Sequence, residues 1–368
     1  MELEMYENHA HTVVRLVSCA LSGTKPDEKL LEGIDLSGLF EFSSYHMLSA
    51  AVGAALESAG IVDQSFHEAY SRAIRNRTLR DMESERVFAL FEKAGIWYMP
   101  IKGSVLKDLY PYGIREMGDI DVLIDPTRAE DARDMMVGAG YEVKEFGKFH
   151  HDAYVKPPIH QYELHRMLLF GFEGDAVYDY YADVKDRLVS DGGCRFRFTP
   201  EDLYIYILAH EYKHFSQGGT GLRSLLDVYM ILSKYDGEID LDRVRTECEK
   251  LSLAEFEEHN RRTATALFSG GEIDERDREF LSYIISSGVY GTVEHVFADR
   301  VKDGKLAYIM RRLFPPMSEI RVTYPFFYRH RILLPALFFY RLGKMLTVKS
   351  GYVFRELKKL FRFKKRSD

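Results

Sequence analysis

Cysteine is scarce in this chain. There are three in 368 residues, Cys19, Cys194 and Cys248, in an odd count with no Cys-x-x-Cys pair. That excludes a disulfide framework and a cysteine-built zinc site, and it fits a reducing compartment, so a cytoplasmic protein is expected. Long apolar runs are missing as well. The longest clean run near the end, Ile332 to Tyr340, covers nine residues, whereas a bilayer span needs about 20. The first residues include Glu2, Glu4 and Glu7, where a secretory leader would place Lys or Arg before an apolar stretch. No internal repeat or low-complexity tract stands out.

What is present is an ordinary globular balance. Apolar residues make up 46% and charged residues 29%, which rules out wholesale disorder. At roughly 150 residues per domain the length suggests two or three domains. The net charge of −7 is unevenly spread: from Arg329 to Asp368 twelve Lys/Arg face two Asp/Glu, a local +10, which leaves −17 for the remainder. An acidic body with a basic tail is not the footprint of a general nucleic-acid binder, whose basic stripe lies on the folded domain.

Residues 1–95 read as helical, with Gly23, Gly60 and Ala94-Gly95 as stops. The last helical pattern, Phe66 to Lys93, places Leu79, Met82, Val87, Leu90 and Phe91 on one stripe. Such a layer leaves little room for chemistry. At Ile96 the texture changes. Trp97 to Ile101 has strand length, and Ser104 to Tyr110 has helical spacing stopped by Pro111. Asp119 to Asp125 alternates, and Thr127-Arg128-Ala129-Glu130 reads as a capping box for a helix ending at Gly138-Ala139-Gly140. Three strand-like runs follow: Tyr141 to Phe146, Phe149 to Val155 and Ile159 to Arg166. From Pro200 the chain is helical again, over Glu201–Phe215 and Leu222–Leu232, with Gln217 to Gly221 as connection, and around Phe256–Phe268 and Arg278–Ser286. The expected fold is therefore α+β, a small mixed-sheet core flanked by N-terminal and C-terminal helical regions. The expected division is 1–95, a core at 96–170, a helical part completing the cleft at 171–270, and 271–368.

The residues that carry chemistry are Lys102-Gly103-Ser104, Asp119-Ile120-Asp121 and Glu163. Carboxylates at i and i+2 of a strand share a face, about 7 Å apart along the backbone. Their side chains can converge on a pair of divalent ions, the geometry of two-metal phosphoryl transfer. In Gln161-Tyr162-Glu163-Leu164-His165, Glu163 falls opposite Tyr162 and Leu164, as a third metal ligand on a neighbouring strand must. A Gly-Ser step that opens a helix offers free N–H groups to phosphate oxygens.

The stretch IKGSVLKDLYPYGIREMGDIDVLID, followed by YELHR, resembles bacterial nucleotidyltransferases of the DNA polymerase β superfamily. Gly221-Leu222-Arg223 and Leu226-Asp227 resemble their helical half. The resemblance implies that Asp119 and Asp121 bind two Mg²⁺ ions (or Mn²⁺), and that Glu163 holds the catalytic one and helps to activate the acceptor. It also implies that Ser104 and the Gly103 backbone contact the β- and γ-phosphates of an NTP. Lys102 and Arg115 are candidate phosphate partners, because charge developing on the α-phosphate and pyrophosphate needs cations nearby; the bland reading pairs them with neighbours such as Glu116. The implied activity is transfer of NMP to an acceptor that is a small molecule, a protein side chain or an RNA end.

Three features compete or stand apart. His210-Glu211-Tyr212-Lys213-His214 satisfies His-Glu-x-x-His, the zinc-hydrolase helix. Lys213 between the histidines argues against it, and a distant ligand would have to come from Glu255, Glu257 or Glu258. Arg223 and Asp227, four apart, read as a local ion pair, with Arg223 reaching the nucleotide or acceptor as the alternative. In the tail, residues 352–366 alternate an apolar face with Arg355, Lys358, Lys359 and Arg362, a pattern that permits peripheral contact with an anionic surface. A core that binds nucleotide without turnover, as a regulatory or scaffold subunit, is the remaining alternative.

Overall fold

The computed structural model describes residues 2–169, 175–216, 218–288 and 324–347, with three further positions at Phe314, Met317 and Ile320. Residues 1–292 form one compact unit and 293–368 a second. The basic stretch 352–366 lies outside the described residues.

The first unit opens with α1 (Glu2–Ser22), α2 (Glu28–Leu31), α3 (Leu36–Tyr45), α4 (Ser49–Ser58) and α5 (Gln64–Ala94). Asp63 starts α5 by accepting the N–H groups of Ser65 and Phe66, and Gly95 ends it at φ +65, a conformation with no Cβ penalty. The expected stripe on α5 holds only in part. Val87 and Phe91 are buried, but Leu79 is 39% and Met82 64% exposed. Mid-helix the inward positions are Arg77 and Arg80, which bond the carbonyls of Lys107, and of Met117 and Gly118. The helix faces a polar loop there, and guanidinium groups satisfy backbone that leucine could not.

The sheet follows: β1 (Tyr98–Pro100), α6 (Gly103–Leu106), β2 (Ile120–Ile124), α7 (Ala129–Gly138), β3 (Glu142–Glu145), β4 (His151–Lys156) and β5 (His160–His165). The helix expected over Ser104–Tyr110 is one turn of α6 running into a 3₁₀ turn at Lys107–Leu109. Thr127 does not cap α7. Asp125 accepts from the Thr127 N–H and hydroxyl and starts a 3₁₀ turn, so the capping residue sits two positions earlier. Spatial order is β1-β2-β5-β4-β3, with β2 and β5 parallel and the other pairs antiparallel. The mixed α+β core is as expected. One face, with Ile120, Val122, Ile124, Tyr154, Tyr162 and Leu164, buries a core against α5 and α7. The opposite face carries Asp121, Glu163 and His165 beside Met99 and Leu123, which belong to the larger helical core.

Beyond the sheet come α8 (Ala176–Ala182), a small hairpin of β6 (Val189–Ser190) and β7 (Phe196–Arg197), α9 (Pro200–Phe215), α10 (Leu222–Lys234), α11 (Leu241–Lys250), α12 (Ala254–Ser269) and α13 (Glu275–Ser287). Strands of two residues leave no periodicity to read, so the hairpin was invisible in the sequence. The core formed by α9 and α10 is continuous with that of α1, α3 and α4, so the N-terminal helices brace the helical half of the molecule. In the second unit, α14 (Pro325–Arg329) and α15 (Leu334–Thr347) are described. No helix among the described residues is long and apolar enough to cross a membrane.

His46 joins the two helical regions. It is fully buried, and its Nδ1 accepts the Leu222 N–H at the start of α10 at 3.2 Å. Burial pushes its pKa down from 6.5 to about 3. The folded state therefore keeps it neutral, while the unfolded chain takes up a proton below 6.5. Its contribution to stability is lost as pH falls from about 6.5 towards 3, at about 1.4 kcal/mol per pH unit. We expect the acid-side loss of stability, followed by urea unfolding at stepped pH, to be shallower by about one proton in His46→Gln. Identical slopes would refute this assignment.

Candidate active site

Parallel pairing of β2 with β5 sets Asp121 opposite Glu163 in register. Side chains alternate across a strand, so both carboxylates leave the face opposite the Val122 and Leu164 core. His165, two residues beyond Glu163, joins them. Oxygens or nitrogens of Asp121, Glu163 and His165 lie within 4.8 Å of one another. Asp119 precedes the strand and lines the adjoining cavity, and it belongs to no such group among the described residues.

Lys102 neutralises the cluster. Its Nζ lies 2.8 Å from Asp121 Oδ1, 3.3 Å from His165 Nε2 and 3.9 Å from Glu163 Oε2. The backbone that presents it is left-handed, at φ +49 and ψ −128. A residue with a Cβ takes this conformation at a cost of about 1–3 kcal/mol, and only where the surroundings impose it. Here the Lys102 carbonyl accepts the N–H groups of Val105 and Leu106, which closes α6 behind it. Ser104 is buried, its hydroxyl accepting the Asp121 N–H at 2.9 Å, so it pins β2 from below and does not line the cavity.

Charge crowding appears in the acidities. Burial, then the charges of Asp121 and Glu163, push Asp119 up to about 6. Burial works the same way on Asp121, but the Lys102 ammonium and the His165 imidazole outweigh it and hold that carboxyl below the ordinary range. Two carboxylates two residues apart are thus driven in opposite directions by which of them meets the cation.

The cavity measures about 410 Å³, within the ~300–1,000 Å³ usual for small-molecule sites. The core supplies Lys102, Gly103, Arg115, Asp119 and Asp121, and α9 and α10 supply His210, His214 and Arg223. Met47 reaches it from between α3 and α4, so the N-terminal helices do touch the site.

Arg115 is the most constrained of the expected residues. Its Nε and Nη2 donate to the two oxygens of Asp227 at 2.7 and 2.9 Å, and the Tyr110 hydroxyl donates to the same carboxylate at 2.6 Å. The pair is buried, and although burial opposes the charge, the facing carboxylate keeps the guanidinium firmly protonated. Gly103 lets it through, because a Cβ there would stand 2.9 Å from Arg115 Nη1. Arg115 does not bond Glu116, whose Oε1 accepts the Ala50 N–H of α4. Nor is Asp227 the local partner of Arg223; the Arg223 Nη1 instead lies 3.0 Å from Met47 Sδ at the cavity wall.

A family model described as an uncharacterised nucleotidyltransferase matches residues 32–269, well over half of the chain. The chain belongs to that nucleotidyltransferase family. No curated protein and no solved structure matches it. The match spans the sheet, the cavity and the α9–α12 helices.

In this member of the family the His-Glu-x-x-His helix faces the same cavity. The His210 and His214 rings stack edge to face at 4.8 Å, and burial keeps both well on the neutral side. Among the described residues no third ligand completes a zinc set around them. Glu257 is engaged by Tyr204 and Arg261, and burial pushes the Glu211 carboxyl well above the ordinary carboxylate range.

Sequence reasoning missed two contributors. His165 was signalled only by its i+2 spacing from Glu163. Arg80 carried no signal, because its role is to clamp the Met117 and Gly118 carbonyls just ahead of Asp119. The buried Arg115–Asp227 pair is expected to be severe to break and mild to replace. Arg115→Met should destabilise by about 3–5 kcal/mol in urea unfolding, and adding Asp227→Leu should recover part of that loss. A double variant no better than the single one would refute the pairing.

Proposed function

We propose that the protein transfers a nucleoside monophosphate from an NTP to an acceptor nucleophile and releases pyrophosphate. The observation that carries this reading is the β2–β5 register, which sets Glu163 beside Asp121, itself at the wall of a cavity also lined by Asp119 and three cationic side chains. The donor set suits Mg²⁺ or Mn²⁺. It consists of carboxylate oxygens on two paired strands and on the residue just before one of them, the hard ligands such ions prefer. Asp119, Asp121 and Glu163 would hold two ions, which when bound supply positive charge for the triphosphate and the leaving pyrophosphate.

The chain's own residues do the rest. Lys102 now neutralises Asp121 and Glu163, and a triphosphate in the cavity offers its ammonium a second anionic partner. Gly103 lines that wall, so phosphate oxygens can approach the backbone closely. Arg115 adds a fixed charge that its partner Asp227 holds in place, and Arg223 adds another from the helical side. Ser104 contributes by fixing the Asp121 backbone from outside the cavity. The acceptor hydroxyl attacks the α-phosphorus, Glu163 takes its proton, and the bond to the β-bridging oxygen breaks as pyrophosphate leaves. In this reading residues 96–170 are the catalytic core and 171–270 the helical half that completes the cleft, between helical regions 1–95 and 271–368. The site is read as working in the cytoplasm.

The test is NMP transfer from labelled NTPs in Mg²⁺ or Mn²⁺. Asp119→Ala with Asp121→Ala should abolish transfer, by at least about a thousandfold if ion binding is lost, while urea unfolding still reports a cooperative fold. Transfer at the wild-type rate by the double variant would reject the assignment.

A further inference from the structure

A second constellation lies behind the carboxylates. His150 ends the loop into β4, His151 begins that strand, and the antiparallel β4–β5 register sets His151 directly opposite His165. The three rings meet pairwise with centroids 4.6, 5.1 and 5.3 Å apart. One nitrogen from each lies within 4.8 Å of the other two.

We propose that His150, His151 and His165 bind one first-row transition-metal dication of the Zn²⁺ class, at a position distinct from the carboxylate site and independent of the nucleotidyl-transfer reading. Two features point to an ion rather than to a stack of rings. The first is spacing. Imidazole nitrogens bonded at about 2.0–2.1 Å to a tetrahedral ion stand about 3.3 Å apart, and His150 Nε2 lies 3.3 Å from His151 Nδ1. The second is what stands behind the rings. A metal-bound histidine usually gives its other nitrogen to a carboxylate; His165 does so, and His151 has a carboxylate close by. His165 Nε2 lies 2.9 Å from Asp121 Oδ1, and His151 Nε2 lies 3.4 Å from Glu163 Oε1. With Nε2 of His165 engaged by Asp121, Nδ1 is the nitrogen left for an ion. That atom is buried and meets no hydrogen-bonding partner among the described residues.

Three imidazole ligands select nitrogen-preferring ions and disfavour Mg²⁺, whose ligands are oxygens. An ion on Nδ1 also fixes the proton of His165 on Nε2, where it donates to Asp121. The site therefore couples a transition metal to the orientation of a carboxylate in the main cavity.

The test uses the full chain, freed of any histidine tag and treated with chelator, then titrated with Co²⁺. One equivalent should bind, with the visible absorption of a four-coordinate nitrogen site and without displacement by excess Mg²⁺. His150→Ala and His151→Ala should each weaken binding on the order of tenfold or more, whereas Asp119→Asn should leave it unchanged. On the wild-type chain, which needs no substitution to fold, X-ray absorption of the Zn²⁺ form should show three imidazole nitrogens at about 2.0–2.1 Å. Absence of bound Co²⁺, an all-oxygen shell, displacement by Mg²⁺, or binding lost in Asp119→Asn but kept in both histidine variants would each overturn the proposal.

Discussion

Asp121 and Glu163 face each other across a parallel strand pair with Asp119 close by, and the Lys102 ammonium at 2.8 Å from Asp121 is what makes that crowding tolerable. Gathered carboxylates at a buried edge repel, and without a cation each would be driven to keep its proton. Asp119, which does not meet the ammonium, is driven part of the way there, up to about 6. Much of the surrounding architecture serves this neutralisation. The strained Lys102 backbone, the one-turn helix that closes behind it and the Ser104 hydroxyl on the Asp121 N–H together set where one charge sits.

The helical half is tied to the core by charge as well as by apolar burial. Arg115 reaches from the loop before β2 to Asp227 on α10, and Tyr110 completes the carboxylate's partners. A buried ion pair contributes little net stability over an apolar pair of equal volume, yet it tolerates only one geometry. That property suits a wall of a cavity shared by two elements 112 residues apart in sequence. Arg80 does similar work on the other side, holding the backbone just before Asp119 from α5.

Membership of a nucleotidyltransferase family and the α+β core were legible because local patterns carry them. Strand-length apolar runs, a Gly-Ser step, an Asp-x-Asp alternation and a Glu-Leu-His strand survive as short signatures. Less legible were features that depend on a distant partner. The Leu79 and Met82 stripe failed because periodicity cannot say whether a helix faces apolar side chains or a loop of carbonyls. The Arg223–Asp227 spacing suggested an i, i+4 pair, but the Arg115 guanidinium from another element takes both carboxylate oxygens, and Arg223 acts on Asp227 only through its charge.

By itself, the sequence determined the order of strands and helices from Trp97 to Arg166, the alternation that puts Asp121 and Glu163 on faces opposite their apolar neighbours, and the glycine that leaves room beside Lys102. Those are properties of a few consecutive residues and their backbone preferences. Tertiary structure alone decided which strands became neighbours, and so which side chains share a site. It placed His165 and Lys102 against Asp121, His151 against His165, and Arg115 against Asp227, because strand register and helix docking are settled by burial of the whole core. Short-range pattern has no access to that sum.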